Sequence, residues 1–344
     1  MIEPRTEIVL PGKPMTETLA FFRETLGFRL ESIMPADKPQ TARLCGGGMR
    51  IELDAGYEGD PGLLQITSDA VRAETRAPNG TRVRFVAAKQ PLSIPAADDA
   101  AVITTRATSE DWGVGRAGML YRDLIPGRMN GHLIASHILI PDGGPVPDNV
   151  HFHDVRFQMI YCYRGWIRLV YEDQGEPFIM QAGDCVLQPP AIRHRVLEAS
   201  AGLEVIELAC PSAHLTTIDH QLVLPTDSVR PDRDWAGQRF HFHQHAQTEW
   251  TTDNATGWSK ADLGIATASG QIADVGVLRV SGDATHTVDQ LSFLFVLTGS
   301  CQLTTAPHTM IALSTADCVT LPRGATFALH DCSDDLQLLR VRLA

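Results

Sequence analysis

The chain has 344 residues, 44% of them hydrophobic and 20% charged, which is enough apolar material for two or three packed domains. Its formal net charge of −12 argues against nucleic acid as a partner, because phosphate binding requires a basic surface. No apolar run approaches the roughly 20 residues that span a bilayer, and the first residues do not resemble a signal peptide. The seven cysteines are scattered, which favours reduced thiols. We therefore expect a cytoplasmic protein that binds a small molecule.

The first segment, residues 1–95, predicts a small α+β domain of βαβββ type. EIVL (7–10) predicts a strand, and apolar residues at spacings of three and four predict a helix over 15–27. Strands are then predicted at FRLESI (28–33), TARLC (41–45) and MRIELD (49–54). A weaker second round predicts strands at 63–67 and 81–86, with a helix over 69–76.

The rest of the chain is dense in short strands and Gly, Pro and Asp turns, a pattern typical of barrels or sandwiches. It also contains an internal repeat. Two pairs of segments carry it: GHLIASHILIP (131–141) with GQIADVGVLRV (270–280), and GDCVLQPPAIRH (183–194) with ADCVTLPRGATF (316–327). We therefore expect two related β-barrels, over 96–225 and 226–344.

A set of potential metal ligands follows from the alternation of side chains along strands. His151 and His153 are separated by one residue, so on a strand both imidazoles point to the same face. Gln158 follows after four intervening residues, and His194 lies on a later strand. Three imidazoles can thus converge inside a small barrel. We expect one divalent transition metal there, and the sequence leaves Fe, Ni, Zn, Mn or Cu open.

This spacing resembles the cupin superfamily, whose motifs are G-x5-HxH-x3,4-E-x6-G and G-x5-P-x-G-x2-H-x3-N. The first motif matches His151, His153, Gln158 and Gly165, and the second matches Gly183, Pro189, Ala191 and His194. The leading glycine is displaced by one residue, Ala191 replaces a glycine, and Glu198 replaces the final asparagine. The resemblance implies two tandem cupin jelly-roll barrels, the first with a metal on the three histidines and Gln158.

Gln158 stands where the family usually has glutamate. Its amide oxygen can bind a metal, but it is neutral and cannot act as a general base. A divalent ion there would favour an anionic or chelating ligand such as an enolate, a β-diketonate or a carboxylate. The resemblance therefore implies a dioxygenase similar to the quercetin- or diketone-cleaving cupins. A Lewis-acid isomerase or lyase, and a non-catalytic small-molecule-binding cupin, stay open as alternatives.

Two further residues are catalytic candidates. Glu207, in the strand LEVIELA (203–209), could act as an acid or base, and Arg156 could bind a substrate carboxylate. A solvated strand face and a surface salt bridge explain them equally well.

Alternation from Gln158 turns Cys162 inward and turns Tyr161 and Tyr163 outward. We expect Cys162 to pack rather than react, since no activating partner is evident.

The second repeat has lost the ligand set. The same positions carry Thr285 and Thr287 for the histidine pair, Ser292 for Gln158 and Phe327 for His194. His286 is then expected on the opposite face of its strand. The second barrel is predicted to serve packing or dimerisation in a homo-oligomer, with a metal-free binding site as the alternative.

Two other segments could hold a metal. FHFHQHAQ (240–247) has three alternating histidines, but a strand with one polar face is favoured because no fourth ligand lies at a suitable spacing. TLAFFRETLGFRLES (18–32) and GGGMRIELD (46–54) resemble the vicinal oxygen chelate superfamily of glyoxalases and extradiol dioxygenases. Its metal ligands would correspond to Glu7 and Glu52. We expect no metal there, since a complete site needs two units and residues 1–131 contain no histidine.

Overall fold

The computed structural model describes residues 6–70, 72–88, 91–97, 102–107, 112–253, 257–305 and 309–344. The chain divides into two compact units, one up to Pro91 and the other from Leu92 onwards. In the described residues, no helix is long and apolar enough to cross a membrane.

The N-terminal unit contains a four-stranded and a three-stranded sheet. Its elements are β1 (Ile8–Pro11), α1 (Met15–Ala20) with a π-helical turn (Phe21–Thr25), β2 (Arg29–Met34), β3 (Thr41–Gly46), β4 (Met49–Asp54), β5 (Leu63–Ser68), β6 (Thr75–Arg76) and β7 (Arg82–Ala87). The larger sheet has the order β1-β4-β3-β2. Phe22 of the π-helical turn packs on its buried face with Leu44, Ile51 and Leu53, all fully buried. This is the predicted βαβββ arrangement.

The helix predicted over 69–76 is wrong. Residues 75 and 76 form β6, which pairs antiparallel with β7, and the other described residues of this stretch are not helical. Residue 71 lies outside the described residues. Glu74 contacts Arg82 at 2.8 Å and Arg84 at 3.2 Å, and these ion pairs across the hairpin accompany the strand pairing. The spacing of apolar residues alone suggests a helix here.

The second unit contains two jelly-roll barrels. The strands of its first half are β8 (Ile103–Thr105), β9 (Gly113–Val114), β10 (Leu120–Asp123), β11 (Ile134–Ile140), β12 (Gly144–Pro145), β13 (His151–His153), β14 (Phe157–Arg164), β15 (Trp166–Tyr171), β16 (Phe178–Gln181), β17 (Cys185–Leu187), β18 (His194–Ala199), β19 (Leu203–Cys210) and β20 (Thr216–Ile218), with a 3-10 turn at Arg116–Gly118.

The second half repeats this pattern. Its elements are β21 (His241–His243), a 3-10 turn (His245–Gln247), β22 (Trp250–Thr252), β23 (Ser259–Asp262), α2 (Ile265–Ala268), β24 (Ala273–Arg279), β25 (Ala284–Thr287), β26 (Leu291–Thr298), β27 (Ser300–Thr305), β28 (Thr309–Ser314), β29 (Cys318–Leu321), β30 (Thr326–His330) and β31 (Gln337–Leu343).

Each barrel is made of two facing sheets. In the first barrel the sheets run β21-β17-β14-β19-β11-β10-β9 and β16-β15-β18-β13-β20, and β12 joins β18. In the second they run β22-β23-β24-β31-β26-β29-β8 and β25-β30-β27-β28. The duplicated order matches the duplicated sequence, and the fold is the expected mainly β, tandem-barrel class.

The two barrels exchange one strand each. β8 precedes the first barrel in the chain but pairs with β29 of the second, and β21 precedes the second barrel but pairs with β17 of the first. The predicted boundary near residue 225 therefore stays a proposal, because β21 follows it in sequence and yet belongs to the first barrel's sheet.

The barrels pack through the outer faces of their long sheets. Tyr161 and Tyr163 do turn away from the barrel interior, but they are only 5% and 8% exposed. They pack in one cluster with Phe293 and Phe295 of β26, and the Tyr163 hydroxyl donates a hydrogen bond to the carbonyl of Leu297 at 3.2 Å. The second barrel thus covers the face that alternation alone would have left to solvent.

Candidate metal centre

Three histidines converge inside the first barrel. His151 on β13 and His194 on β18 are register partners in adjacent strands, and His153 lies two residues along β13 from His151. One ring nitrogen from each lies within 4.8 Å of the others, and the rings of His151 and His194 have centroids 4.2 Å apart. His151 and His194 are buried and His153 is half-buried. The predicted triad therefore forms.

The histidines are held through their Nδ1 atoms. Nδ1 of His151 donates to the carbonyl of Asn149 at 2.7 Å, and Nδ1 of His194 donates to the carbonyl of Ile192 at 3.0 Å. Nδ1 of His153 hydrogen-bonds with Thr216 Oγ1 at 2.9 Å. The two bonds to carbonyls require Nδ1 to carry the proton, so Nε2 of His151 and of His194 is the free acceptor.

The triad is electrically suited to a cation. Burial lowers the pKa of all three imidazoles, and the pKa of His153 falls to about 3 through burial, then His151, His214 and Arg116. Neutral imidazoles keep the lone pair that a metal needs. In the described structure His151 Nε2 is buried and has no hydrogen-bond partner, an unmet polar atom that a metal ion would satisfy.

Gln158 is the fourth predicted ligand, and its side chain is fixed by a neighbouring carboxylate. It lies on β14, 1% exposed, and its Nε2 donates to Oε1 of Glu207 on β19 at 2.6 Å. That bond uses the amide nitrogen and leaves the amide oxygen as the atom that can face a metal. Both residues line the same cavity as the triad, so the structure brings Glu207 to the site.

The cavity has a volume of about 350 Å³, within the usual range for small-molecule sites. Arg116 lines it and forms an ion pair with the buried Asp148, which also lies 3.6 Å from Nδ1 of His151. Tyr121 lines it too, and burial followed by the charge of Glu207 raises its pKa to about 12. Tyr121 is therefore a neutral hydroxyl at physiological pH.

Arg156 does not line this cavity. Its Nη1 lies 3.5 Å from the carbonyl oxygen of Ala344, at the end of the second barrel. Arg156 lies in the connection between β13 and β14, so the alternation of side chains along a strand does not direct it into the barrel. The cation at the cavity is Arg116, which no motif identified.

Cys162 lies in the barrel interior, fully buried, as expected for a packing residue. Burial and the nearby Asp184 raise the pKa of its thiol to about 12, so it is not a thiolate.

The sequence reasoning missed three uncharged or weakly basic residues of the site. His214 lies with its ring centroid 5.5 Å from that of His153, Gln188 neighbours Gln158, and Tyr171 stacks on His194. All three line the cavity. Tyr171 is the register partner of His194, and strand pairing is the signal that could have identified it.

The inward-facing position on β25 of the second barrel differs from the prediction. Thr285 and Thr287, aligned with the histidine pair, are exposed, whereas His286 is half-buried. The ring of His286 lies 4.1 Å from that of Trp258 and 5.7 Å from that of Phe327, both residues of the barrel interior. His286 is therefore on the inner face and does lie opposite the two threonines, whereas the prediction that Thr285 and Thr287 take the inward positions of His151 and His153 is wrong by one residue.

Strand register shows which residue replaces which. His286 is the partner of Phe327, just as His151 is the partner of His194. His286 thus takes the place of His151, while the place of His194 is filled by a phenylalanine. Among the described residues, the second barrel contains no cluster of three potential metal ligands.

A charge reversal accompanies this loss. Arg340 faces Leu294 on β26 as Glu207 faces Ile160 on β14, so the second barrel carries a guanidinium where the first carries a carboxylate. A cation at this position opposes the binding of a metal ion.

The two other candidate metal segments have other partners. Glu7 and Glu52 both contact Nε of Arg43, at 3.2 and 2.7 Å, and form an ion-pair cluster with it. His241 Nε2 bonds with the carbonyl of Leu263 at 3.0 Å, and His243 Nε2 with Thr248 Oγ1 at 2.9 Å.

No protein-family model and no curated protein matches the sequence. Solved structures do resemble it. Protein Ylba from E. coli, of the DUF861 family, is 10% identical, covers 72% of this chain and 93% of its own, and has a TM-score of 0.52. Salicylate 1,2-dioxygenase from Pseudaminobacter salicylatoxidans is 14% identical, with coverages of 72% and 86% and a TM-score of 0.54. A deletion mutant of Bacillus subtilis oxalate decarboxylase is 13% identical, with coverages of 75% and 80% and a TM-score of 0.52.

At these identities the similarity concerns the fold. The second unit of the chain has the tandem cupin fold, with its histidine triad inside the first of two barrels.

Proposed function

We propose that the protein is a metal-dependent cupin enzyme that acts on a small, oxygen-rich, anionic or chelating substrate. The observation that carries this is the convergence of three neutral imidazoles whose free nitrogens face one cavity. A buried triad without a ligand would leave polar atoms unsatisfied, which costs stability.

His151, His153, His194 and the amide oxygen of Gln158 would hold one divalent transition metal. Such an ion supplies Lewis-acid polarisation of a bound oxygen and, if redox-active, a site for dioxygen chemistry. Which of Fe, Ni, Zn, Mn or Cu occupies it is a matter for measurement, since affinity order alone does not decide occupancy.

The protein's own groups have separate tasks in this proposal. Glu207 orients Gln158 and places a carboxylate in the cavity, where it can take a proton from a bound substrate. Asp148 holds Arg116 at the cavity wall. The aliphatic remainder of the lining excludes water and so strengthens these electrostatic interactions.

Within this class we propose a dioxygenase of the quercetin- or diketone-cleaving type. The likeness of the fold to salicylate 1,2-dioxygenase is consistent with oxygen chemistry on a chelating ligand. The alternative is a Lewis-acid isomerase or lyase, which is favoured by the carboxylate of Glu207 as a ready base. We also propose a homodimer, with the second barrel as a packing module.

The experiment is oxygen uptake by the purified, metal-loaded protein with a panel of β-diketones, flavonols and catechols. The dioxygenase proposal predicts consumption of oxygen with one class, and loss of it in His194→Ala. Turnover without oxygen consumption would support the isomerase or lyase. If the metal-loaded protein neither turns over nor binds any compound of the panel, the enzyme proposal is contradicted.

A further inference from the structure

Two uncharged polar side chains in the cavity have no partner within the described structure. Both amide atoms of Gln188 and the hydroxyl of Tyr171 are buried without a hydrogen bond. Each residue is 1% exposed, and both line the cavity. A buried polar group without a partner costs free energy, and it is retained where a ligand or an ordered water completes it.

Both residues lie next to the proposed metal ligands. The backbone amide of Gln188, which directly follows β17, donates to the carbonyl of Gln158 on β14 at 2.9 Å, so the two glutamines are neighbours. Tyr171 pairs with His194 in the opposite sheet and stacks on it, with ring centroids 5.5 Å apart. Donors and acceptors from both sheets therefore lie beside the triad.

The other end of the barrel is apolar. Ile138 pairs with Val205, and Ile140 pairs with Leu203, all four lining the cavity away from the metal ligands. Val196 lines it from the facing sheet. Nothing charged lies on this part of the lining, so it can hold only an uncharged, apolar portion of a ligand.

We infer that Gln188 and Tyr171 are specificity-determining residues that bind a neutral hydroxyl or carbonyl group of the substrate beside the histidine triad. This inference rests on the proposed function. The substrate class is then a small amphipathic molecule with two adjacent oxygen functions on its head and an apolar body. Gln188 offers a donor and an acceptor, and Tyr171 offers a donor, so either a hydroxyl or a carbonyl is satisfied.

The test uses the metal-loaded protein and two chromophoric probes, 4-nitrocatechol with two adjacent oxygens and 4-nitrophenol with one. Tyr171→Phe and Gln188→Leu remove the polar atoms and nearly preserve volume. Each is expected to weaken 4-nitrocatechol binding about fivefold to a hundredfold, and to affect 4-nitrophenol less. Gln181→Leu, at an exposed position on β16, is the control and should leave both affinities unchanged.

Thermal unfolding of the metal-free variants supplies a second readout. Removing an unsatisfied polar atom should leave the midpoint unchanged or raise it, whereas removing a structural hydrogen bond lowers it. Metal analysis separates the possible failures. A wild-type protein without metal would defeat the proposed function and this inference with it. Metal retained with unchanged 4-nitrocatechol affinity in both variants, no binding of that probe by the wild type, or a lowered midpoint in both variants would overturn this inference alone.

Discussion

A glutamate in place of Gln158 would supply both a ligand oxygen and a negative charge. In this protein the two come from different strands, β14 with Gln158 and β19 with Glu207. Gln158 contributes a neutral oxygen, and Glu207 keeps a negative charge on the cavity wall 2.6 Å from the amide nitrogen. The charge is therefore present in the site but not on the atom that faces the triad. The ligand set itself stays neutral, so a divalent ion held by it would keep its full charge and attract ligands that bring their own negative charge.

Replacing Glu207 by glutamine should separate positioning from ligation. In Glu207→Gln the amide of Gln158 loses its charged acceptor and can turn its nitrogen towards the triad. We expect metal affinity or turnover to fall about 10- to 100-fold, as is usual for residues that orient metal ligands. Metal titration and turnover measurements check this. Glu198→Gln, on β18 and outside the cavity lining, is the control, and equal effects from both variants would contradict the role of Glu207.

The residues found from sequence and those missed differ for a physical reason. His151 and His153 were predictable because alternation and the motif both place them on one face. His286 was misplaced because the loop before the strand differs in length between the copies. A register error of one residue moves every side chain to the opposite face of a sheet.

At the scale of elements, the exchanged strands are anchored by equivalent aspartates. Asp317, 3% exposed, accepts hydrogen bonds from the backbone amides of Ala107, just after β8, and Ser314 at 2.7 and 2.9 Å. Asp184 accepts from the amides of His245, just after β21, and Gln181 at 2.7 and 2.8 Å. The same contact thus joins each barrel to the strand that precedes the other barrel in the chain.

Removing this acceptor should destabilise the tandem unit. Asp317→Ala leaves two backbone donors without their partner in a buried region, and we expect a loss of roughly 2–4 kcal/mol in the free energy of unfolding. Urea denaturation measures it. Asp142→Ala, at an exposed position, should change stability by less than about 0.5 kcal/mol. Equal midpoints for Asp317→Ala and wild type would show that the strand exchange does not depend on this anchor.

The repeat in the sequence showed that these aspartates are equivalent, but not what they do. Asp184 binds a backbone amide 61 residues away, and Asp317 binds one 210 residues away. Periodicity reports on the strand in which a residue sits, and it carries no information on which distant strand completes the sheet. The strand exchange could therefore be seen only in the structure.

At the scale of the whole tandem unit, an ionic cluster ties the connecting segment to the first barrel. Asp173, 2% exposed, follows β15 and accepts from Arg230, Arg233, Thr226 and Ser228 of the segment between the barrels. Burial alone would raise the pKa of Asp173, but the hydrogen bonds from these four residues outweigh it and lower the pKa to about 2.

This cluster predicts an acid-sensitive contribution to stability. A carboxyl with a depressed pKa stabilises the fold fully above its unfolded value of about 3.9, and this contribution is lost as the pH falls through about 2. Asp173→Asn should therefore be less stable than wild type at pH 7, and the difference should narrow as the pH falls from about 5. Urea denaturation across this range measures it, and a difference independent of pH would contradict the assignment.

Of the two barrels, the first should bind a metal and the second should not. Metal analysis of the purified protein by mass spectrometry, for wild type and two matched variants, measures this. We predict one divalent transition metal ion per chain, lost in His194→Ala and retained in His286→Ala, which alters the equivalent of His151 in the second barrel. A wild-type chain without metal, or a His194→Ala variant that still holds it, would show that the histidine triad is not a metal site.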